Sequence, residues 1–240
     1  WTVTHDASDD FIRLCYNNAS LKRCAKLHMA PLSRDAYRRL VMKFPTSTNV
    51  GYSVFHYRML NEVLTLVHGS RGSSVEKSNT KRRFINVEPL GNVLLQRVVG
   101  VAIRRVLAKH GNDLLRGKMV HTLRISDPQQ ATIDFSNASD SVLLEICRLC
   151  FPGRVFSLLD RYRSPFVLID EVFYQPCKLS SMGNGFTFEV MSALLLAIAR
   201  TLDEEATVFG DDVIVNNAAS NDFIQGAQAI GFKVNQQKTF

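Results

Sequence analysis

The fold of this chain is decided by the stretch Ala206-Thr207-Val208-Phe209-Gly210-Asp211-Asp212-Val213-Ile214-Val215. Apolar and β-branched residues flank a Gly-Asp pair on both sides, a pattern that predicts two strands joined by a tight turn. The tip of such a hairpin carries two adjacent carboxylates, which repel each other unless a cation neutralises them. Because Gly-Asp is also common in ordinary surface turns, this stretch alone leaves open both a metal site and a plain turn.

Charge is distributed unevenly along the 240 residues, whose formal net charge is +7. Residues 1–125 carry 21 Lys and Arg against 8 Asp and Glu, whereas residues 126–240 carry 8 against 14. A basic half joined to an acidic half indicates polyanion binding in the first and cation binding in the second. Two solvated surfaces of opposite sign would have the same composition, so that alternative also stays open.

The cysteines and the apolar runs indicate where the protein works. Five cysteines without regular spacing provide no disulfide framework, and the Cys147-x-x-Cys150 pair is predicted to be two buried helix thiols. The longest apolar run, 190–199, is too short to span a bilayer. Reduced thiols without a secretory signal predict a cytoplasmic protein that is not inserted in a membrane.

The second half of the chain has the alternation of an α+β fold. From residue 131 onward the predicted order is strand, helix, hairpin, helix, strand, strand, helix and strand, with the first hairpin in 166–178 and a long helix over 187–202. This order predicts helices packed on one face of an antiparallel sheet. Ser139-Asp140-Ser141 is predicted to cap a helix that runs to about Cys150.

The first half is predicted in less detail. The segment 52–67 predicts a helix, and 68–74, which is rich in Gly and Ser, predicts a flexible connector. The cations at 81–83 precede an apolar alternation, which is typical of a basic strand or loop that lines a channel. The segment 91–109 predicts a helix from its apolar spacing.

Three acidic residues stand at predicted strand ends or turns: Asp134, Asp211 and Asp212. A sheet places the end of one strand beside the tip of a neighbouring hairpin, so these carboxylates are predicted to converge. Converging carboxylates hold two divalent cations roughly 3.5–4 Å apart in enzymes that transfer phosphoryl groups. Magnesium suits such a site because it takes a few carboxylates and completes its shell with water and substrate phosphates.

Five segments, in order along 77–240, resemble the motifs of viral RNA-dependent RNA polymerases in the form found in the replicases of single-stranded RNA bacteriophages, the leviviruses. The segments are Lys81-x-Arg83-x-Ile85-x-x-Glu88-Pro89 (motif F), Asp134-Phe135-Ser136-Asn137-Ala138-Ser139-Asp140-Ser141 (A), Ser181-Met182-Gly183-Asn184-Gly185-Phe186-Thr187-Phe188-Glu189 (B), Phe209-Gly210-Asp211-Asp212 (C) and 231–240 (D). Motif C has Phe209 in place of the usual Tyr, which leaves both carboxylates unchanged.

The resemblance implies how the metals and the triphosphate would be bound. Asp134 and Asp211 would bind two Mg²⁺ ions, for which Mn²⁺ substitutes, and Asp212 would assist. Arg83 and Lys81 would hold the triphosphate of the incoming nucleotide. In motif D, Lys238 would donate a proton to the departing pyrophosphate.

Motifs A and B are implied to contact the ribose and the template. Ser181, Gly183, Asn184 and Thr187 would form the loop and helix start that touch both. Many relatives have a second motif A carboxylate five residues after the first. That position is Ser139 here, with Asp140 one further on, so either residue would read the ribose 2′-OH, and helix capping explains Asp140 equally well.

The resemblance also implies a right-hand polymerase fold. Residues 1–125 would form the fingers and 126–240 the palm, with a ferredoxin- or RRM-like sheet and with 166–178 as a hairpin insertion. The chain begins at Trp1 and stops directly after motif D, so we expect a partial sequence without a thumb. Template RNA and ribonucleoside triphosphates would be its ligands, host translation factors its partner subunits, and the cytoplasm of an infected bacterium its location.

Two other functions are alternatives to RNA-directed RNA synthesis by two-metal nucleotidyl transfer. A reverse transcriptase usually carries a bulky or apolar residue where Gly210 stands, so the glycine argues against it. A non-catalytic RRM-like RNA-binding module stacks bases on exposed aromatic residues and has no use for three converging acids. An RNA-directed RNA polymerase is therefore the predicted function.

Overall fold

The computed structural model describes residues 1–32, 61–78, 81–237 and 239, and within these ranges the protein is a mixed α+β structure, as the order of elements predicted. The α-helices are α1 (Ser8–Asn17), α2 (Ala19–Leu32), α3 (Leu90–Lys109), α4 (Gly117–Arg124), α5 (Leu144–Cys150), α6 (Gly153–Tyr162), α7 (Thr187–Leu202) and α8 (Ser220–Ala229). The strands are β1 (Thr2–Thr4), β2 (Thr65–Val67), β3 (Gly69–Ser78), β4 (Lys81–Val87), β5 (Gln130–Ile133), β6 (Phe135–Ser136), β7 (Phe166–Ile169), β8 (Val172–Tyr174), β9 (Thr207–Phe209), β10 (Asp212–Asn216) and β11 (Lys233–Val234).

The hairpin β9–β10 lies in an antiparallel sheet, as predicted. Strand β10 is central, with β5 on one side and β9 on the other. Val213 is opposite both Ile133 and Val208, and all three side chains are buried. Strand β6 follows β5 after Asp134 and pairs with β11, so the motif D segment adjoins the same edge as motif A.

Helix α7 fills the core beneath this hairpin. Its buried apolar side chains include Val190, Leu194, Leu195 and Ala199, all at most 3% exposed. Each large apolar side chain buried in this way contributes about 1.5–3 kcal/mol. The helix packs against both hairpin strands and against α3, so its N-terminus has a fixed position relative to the hairpin tip.

A second sheet has the strand order β4-β3-β7-β8. Strand β3 pairs antiparallel with β4 and parallel with β7, and β7 and β8 form a hairpin. The predicted turn at Asp170-Glu171 is confirmed, since both residues have positive φ values, 46° and 66°. The predicted basic strand is also confirmed as β4.

Two predictions in the first half were wrong. The Gly/Ser-rich segment 68–74 is largely strand β3, because pairing with strands on both sides outweighs its weak local propensity. Gly69 permits this pairing, since a Cβ there would lie 1.9 Å from the carbonyl oxygen of Phe166. Of the helix predicted over 52–67, residues 61–62 are helical, but Thr65–Val67 form strand β2, which pairs in parallel with β1, and residues 52–60 lie outside the described ranges.

The helix predicted over 139–150 is interrupted. A 3-10 turn covers Ala138–Ser141, Val142 and Leu143 are not helical, and α5 then begins without a side-chain cap. Of the two thiols predicted to be buried, Cys147 is buried and Cys150 is exposed. In the described part of the chain no helix has the length and apolar character needed to cross a membrane.

Candidate active site

The tip of the β9–β10 hairpin is fixed onto helix α7. Gly210 has φ +69°, a left-handed conformation that favours glycine, and a Cβ there would lie 2.4 Å from the Phe188 ring. The Gly210 N–H donates a hydrogen bond to Ser192 Oγ at 3.0 Å, and that hydroxyl donates to the Phe188 carbonyl at 2.8 Å. The position of Asp211 and Asp212 is therefore set by a buried serine on α7.

Phe209 lies half-buried in an aromatic cluster. Its ring meets Phe188 edge-on with centroids 5.0 Å apart and meets His121 of α4 at 6.2 Å. Gly117 of α4 also packs against it, since a Cβ there would come within 2.5 Å of the ring. Because the ring packs against these neighbours, an apolar Phe is compatible with this position, where the motif C that it resembles usually has Tyr.

His121 is kept neutral by this cluster. Burial, and secondly the nearby charge of Arg124, lower the pKa of His121 to about 4. Its Nε2 atom is buried without a hydrogen-bond partner in the described structure. Protonation would charge a ring whose Nε2 atom has neither solvent contact nor a partner, which is unfavourable.

Asp134 lies at the end of β5 with only 8% of its surface exposed. The β5–β10 register ends at the pair Ile133 and Val213, and Asp134 and Asp212 are the residues that adjoin this pair in the two segments. On the motif D side, the Asn235 N–H donates to the Asp134 carbonyl at 2.8 Å, and Asn235 Nδ2 donates to Asp134 Oδ2 at 2.7 Å. The backbone thus brings the motif A carboxylate to the edge that carries the hairpin tip.

These residues fit divalent-cation binding in their chemistry and their placement along the backbone. Asp134, Asp211 and Asp212 offer the oxygen ligands that Mg²⁺ prefers, and the register brings Asp134 next to the start of β10. Among the described residues, however, no three His, Cys, Asp or Glu side chains are grouped so that they could hold a metal ion. The backbone brings the three acids to one edge without closing them into a complete coordination cluster.

The motif B loop is held against strand β4. Gly183 has φ +109°, and a Cβ there would lie 2.0 Å from the carbonyl oxygen of Asn86. The Asn86 N–H donates to the Met182 carbonyl at 2.8 Å, and Asn86 is buried. Only glycine permits this approach, which joins the motif F strand directly to the motif B loop.

Side chains also fix the loop where it enters α7. Thr187 Oγ1 donates to the Ser181 carbonyl at 2.9 Å, and the Phe186 N–H donates to Asn184 Oδ1 at 3.0 Å. The Gly185 N–H donates to Gln96 Oε1 of α3 at 2.8 Å. The predicted site residues Ser181, Gly183, Asn184 and Thr187 therefore lie together in one ordered loop.

Glu88, at the end of the motif F segment, approaches the same loop. Ser164 Oγ donates to Glu88 Oε2 at 2.5 Å. The residue keeps some exposed surface, but its carboxyl group is enclosed, and this burial raises the pKa of Glu88. Hydrogen bonding by Ser164, Gln96 and Asn184 acts in the opposite direction and lowers that pKa less than burial raises it. The Asn184 Nδ2 group lies beside the carboxyl without a well-formed hydrogen bond. A polar junction therefore connects motif F, α3 and motif B.

The prediction that Asp140 caps a helix was wrong. Asp140 lies in the 3-10 turn and forms an ion pair with Lys178, which follows the β7–β8 hairpin. The turn begins after Asn137, whose left-handed φ of 52° takes the chain out of β6. Ser139 is half-buried in the same turn, and the ion pair with Lys178 connects the end of motif A to the segment that follows the β7–β8 hairpin.

The predicted triphosphate ligands are only partly placed. Arg83 is exposed on β4. Lys81 begins the same strand, but its side chain lies outside the described structure, and Lys238 lies outside the described residues altogether.

Sequence reasoning missed three residues that position the site: Ser192, Asn235 and Gln96. Ser192 had a visible signal, because it is the one polar residue in the apolar run 190–199. A lone hydroxyl in a buried helix face needs a partner, and here the partner is the hairpin tip. Asn235 and Gln96 had no comparable signal, since their partners are far away in the sequence.

Comparison with known proteins identifies the family of this chain. The family described as RNA replicase, beta-chain, matches residues 16–240. The RNA-directed RNA polymerase subunit beta of Qbeta virus (strain MX1) is 33% identical over 185 residues, which cover 71% of this chain and 31% of the relative. The corresponding beta chain of Enterobacteria phage GA is 34% identical over 183 residues, or 72% of this chain and 34% of the relative.

Two further similarities differ in strength. The RNA-directed RNA polymerase beta chain of Escherichia phage MS2 is 34% identical over 184 residues, covering 73% of this chain and 34% of the relative. The solved structure titled "In situ structure of BmCPV RNA-dependent RNA polymerase at elongation state" has a TM-score of 0.44 at 12% identity, covering 70% of this chain and 20% of that one. That structural similarity is too weak to assign a fold.

The chain spans about a third of the length of the phage relatives. The family match nevertheless covers nearly all of it, including the aspartate edge, the motif B loop and the basic strand. This chain belongs to the RNA replicase beta-chain family.

Proposed function

We propose that this chain is the part of an RNA-directed RNA polymerase that holds the catalytic aspartates. The observation that carries this proposal is the strand register that brings Asp134 of motif A to the edge where the Gly-Asp-Asp tip lies. A polymerase joins the 3′-OH of a growing RNA to the α-phosphate of a ribonucleoside triphosphate, and pyrophosphate leaves. The reaction demands charge neutralisation and positioning more than it demands covalent help from the protein.

Asp134 and Asp211, assisted by Asp212, would hold two Mg²⁺ ions, or Mn²⁺ in their place. Bound cations of this kind neutralise the attacking and leaving oxygens of the displacement. Within the chain itself, Ser192 would keep the hairpin tip in place through the Gly210 N–H. Asn235 would orient the Asp134 carboxylate through its hydrogen bond to Oδ2.

The nucleotide would lie between the basic strand and the motif B loop. Arg83 and Lys81 would hold the triphosphate, and Lys238 would donate a proton to the departing pyrophosphate. The loop residues Ser181, Gly183, Asn184 and Thr187 would position the ribose and the template base, since Asn86 and Gln96 anchor that loop to the first half of the chain.

The ribose 2′-OH would be read in the 3-10 turn of motif A. Asp140 is engaged by Lys178, so its carboxylate is held at the turn in a fixed direction. Ser139 is its neighbour and the second candidate. The two candidates are separated by comparing the variants Asp140→Ala and Ser139→Ala. Loss of discrimination between ribonucleotides and deoxyribonucleotides in Asp140→Ala alone would assign the role to Asp140.

The larger organisation is proposed on the same basis. Residues 1–125 would serve as fingers and 126–240 as palm, with the β7–β8 hairpin joining the fingers sheet through β3. Relatives are named as a beta subunit or beta chain. We therefore include host translation factors as partner subunits, together with template RNA and ribonucleoside triphosphates, in the cytoplasm of an infected bacterium.

Template-directed extension tests the proposal. A full-length replicase beta chain carrying this sequence is assayed with an RNA template, Mg²⁺ and either ribo- or deoxyribonucleotides. We expect ribonucleotide extension that falls at least a hundredfold in Asp211→Asn and is unchanged in Asp222→Asn, a matched carboxylate change at an exposed site on α8. Preference for deoxyribonucleotides would indicate a reverse transcriptase, and extension unaffected by Asp211→Asn would contradict the metal assignment. We expect residues 1–240 alone to be inactive.

A further inference from the structure

The β4-β3-β7-β8 sheet presents a row of side chains that the aspartate site does not use. Val87, Arg71, Leu168 and Phe173 are neighbours in register, one from each strand. Residues paired across a sheet project to the same face, so this row crosses one face from edge to edge. Three strand spacings of about 4.8 Å make the row about 14 Å wide.

Two aromatic rings on this face are open to solvent. Phe173 is 48% exposed and Phe166, two residues before Leu168 and so on the same face, is 38% exposed. His68, directly before β3, meets Phe173 edge-on at 5.7 Å. Exposed aromatic rings on a sheet are the platforms on which single-stranded nucleic acids stack their bases.

The charge on this face has one sign. Arg71 lies in the row, and Arg83 projects to the same face because it is four residues from Val87 on β4. Both are exposed, and neither forms an ion pair with a residue that the structure describes. Residues 69–75, 83–87, 166–169 and 172–174 contain no Asp or Glu, and the neighbouring acids Asp170 and Glu171 lie in the turn between β7 and β8. Glu76 lies on the other face, opposite Arg82.

We propose that this face, the stacking face (Phe166, Phe173, Arg71), binds single-stranded RNA. Bases stack on the two phenylalanine rings, and Arg71 contacts phosphates. Arginines without a carboxylate partner, next to exposed aromatic rings, suit a ligand that carries both negative phosphates and flat bases. Single-stranded RNA is such a ligand. The inference rests on the proposed function, because it assigns the strand as a substrate of the same polymerase, bound on a sheet to which the hairpin strands β9 and β10 do not belong.

Strand alternation supplies matched controls for this proposal. Tyr174 follows Phe173 directly, is 53% exposed and lies on the opposite face beside Val167. Arg82 precedes Arg83 and also lies on the opposite face, where its Nε donates to Ser74 Oγ at 2.9 Å. The variants Phe173→Ala and Arg71→Gln therefore test the stacking face, and Tyr174→Ala and Arg82→Gln test the opposite face.

The experiment measures the affinity of the 240-residue chain for a fluorescein-labelled 12-nucleotide single-stranded RNA, by anisotropy in EDTA from 50 to 300 mM KCl. Circular dichroism checks that each variant is folded. We expect Phe173→Ala to weaken binding about tenfold or more and Tyr174→Ala to weaken it less than twofold. We expect Arg71→Gln to reduce the slope of log K against log salt by about 0.7, with no change of slope in Arg82→Gln.

Two results would overturn the proposal. One is RNA affinity that is equal in Phe173→Ala and Tyr174→Ala. The other is loss of self-association, rather than of RNA binding, in Phe173→Ala, which would make the face a protein interface. Because EDTA removes divalent cations and no nucleotide is present, this binding result is independent of extension. Failure of the stacking face is therefore distinguishable from failure of the polymerase assignment, which depends on Asp211→Asn.

Discussion

Replacing Gly183 by alanine tests the junction between motif F and motif B most sharply. The φ of +109° is costly for any residue with a Cβ, by about 1–3 kcal/mol. The new Cβ would lie 2.0 Å from the carbonyl oxygen of Asn86, a backbone atom that cannot rotate away, which adds about 1–3 kcal/mol of overpacking. Reduced entropy of the unfolded chain returns about 0.4–1 kcal/mol. We expect a net loss of about 3 kcal/mol in the free energy of unfolding.

Urea denaturation of the 240-residue chain measures this loss, and hydrogen exchange reports its location. The Asn86 amide, which donates to the Met182 carbonyl, should exchange faster in Gly183→Ala because the clash separates the two segments. Gly153→Ala is the matched control, since it lies in the first turn of α6 with nothing within 4 Å of the new Cβ. That variant should be neutral or more stable by up to about 1 kcal/mol. Equal stability of the two variants, with unchanged Asn86 protection, would refute the junction.

Two other substitutions give distinct expectations. Ser192→Ala should lower the free energy of unfolding by about 1–3 kcal/mol and slow extension, because it leaves the buried Gly210 N–H without its acceptor. The control Ser157→Ala removes an exposed hydroxyl that is bonded to a carbonyl four residues earlier, and it should change stability by less than about 0.5 kcal/mol. Equal losses in the two variants would argue against a structural role for the hydrogen bond between Ser192 and Gly210. His121→Gln should flatten the pH dependence of stability between pH 6.5 and about 4. As pH falls through this window, the wild-type histidine is protonated in the unfolded chain before it is protonated in the folded one, so wild-type stability falls. The same pH dependence of the free energy of unfolding in both proteins, measured with urea, would contradict the lowered pKa.

The sequence predicted best what is determined by local pattern. The Gly-Asp-Asp hairpin, helix α7 and the Asp170-Glu171 turn are each specified by residues within one short segment, and each is confirmed. The order of these elements was enough to predict the α+β class. The metal assignment of Asp134, Asp211 and Asp212 stays a prediction, although the register brings the strands that carry them together.

The features that the sequence did not predict depend on contacts with residues far away in the chain. Strand β3 has a Gly- and Ser-rich beginning and forms because β4 and β7 pair with it on both sides, the latter from almost 100 residues away. Asp140 looked like a cap, but Lys178 competes for its carboxylate with a full opposite charge. A capping hydrogen bond and an ion pair use the same side chain, and only the tertiary structure decides between them.

The most direct test of the central claim is a Mn²⁺ titration of the 240-residue chain, followed by the relaxation rate of water protons. The account predicts that Asp134→Asn and Asp211→Asn each weaken Mn²⁺ binding about tenfold or more, because each removes a charged ligand from the same site. Asp222→Asn, the exposed control on α8, should bind as the wild type does. Affinity that is unchanged in both site variants, or lowered equally in the control, would contradict a shared cation site at the Asp134–Asp211 edge.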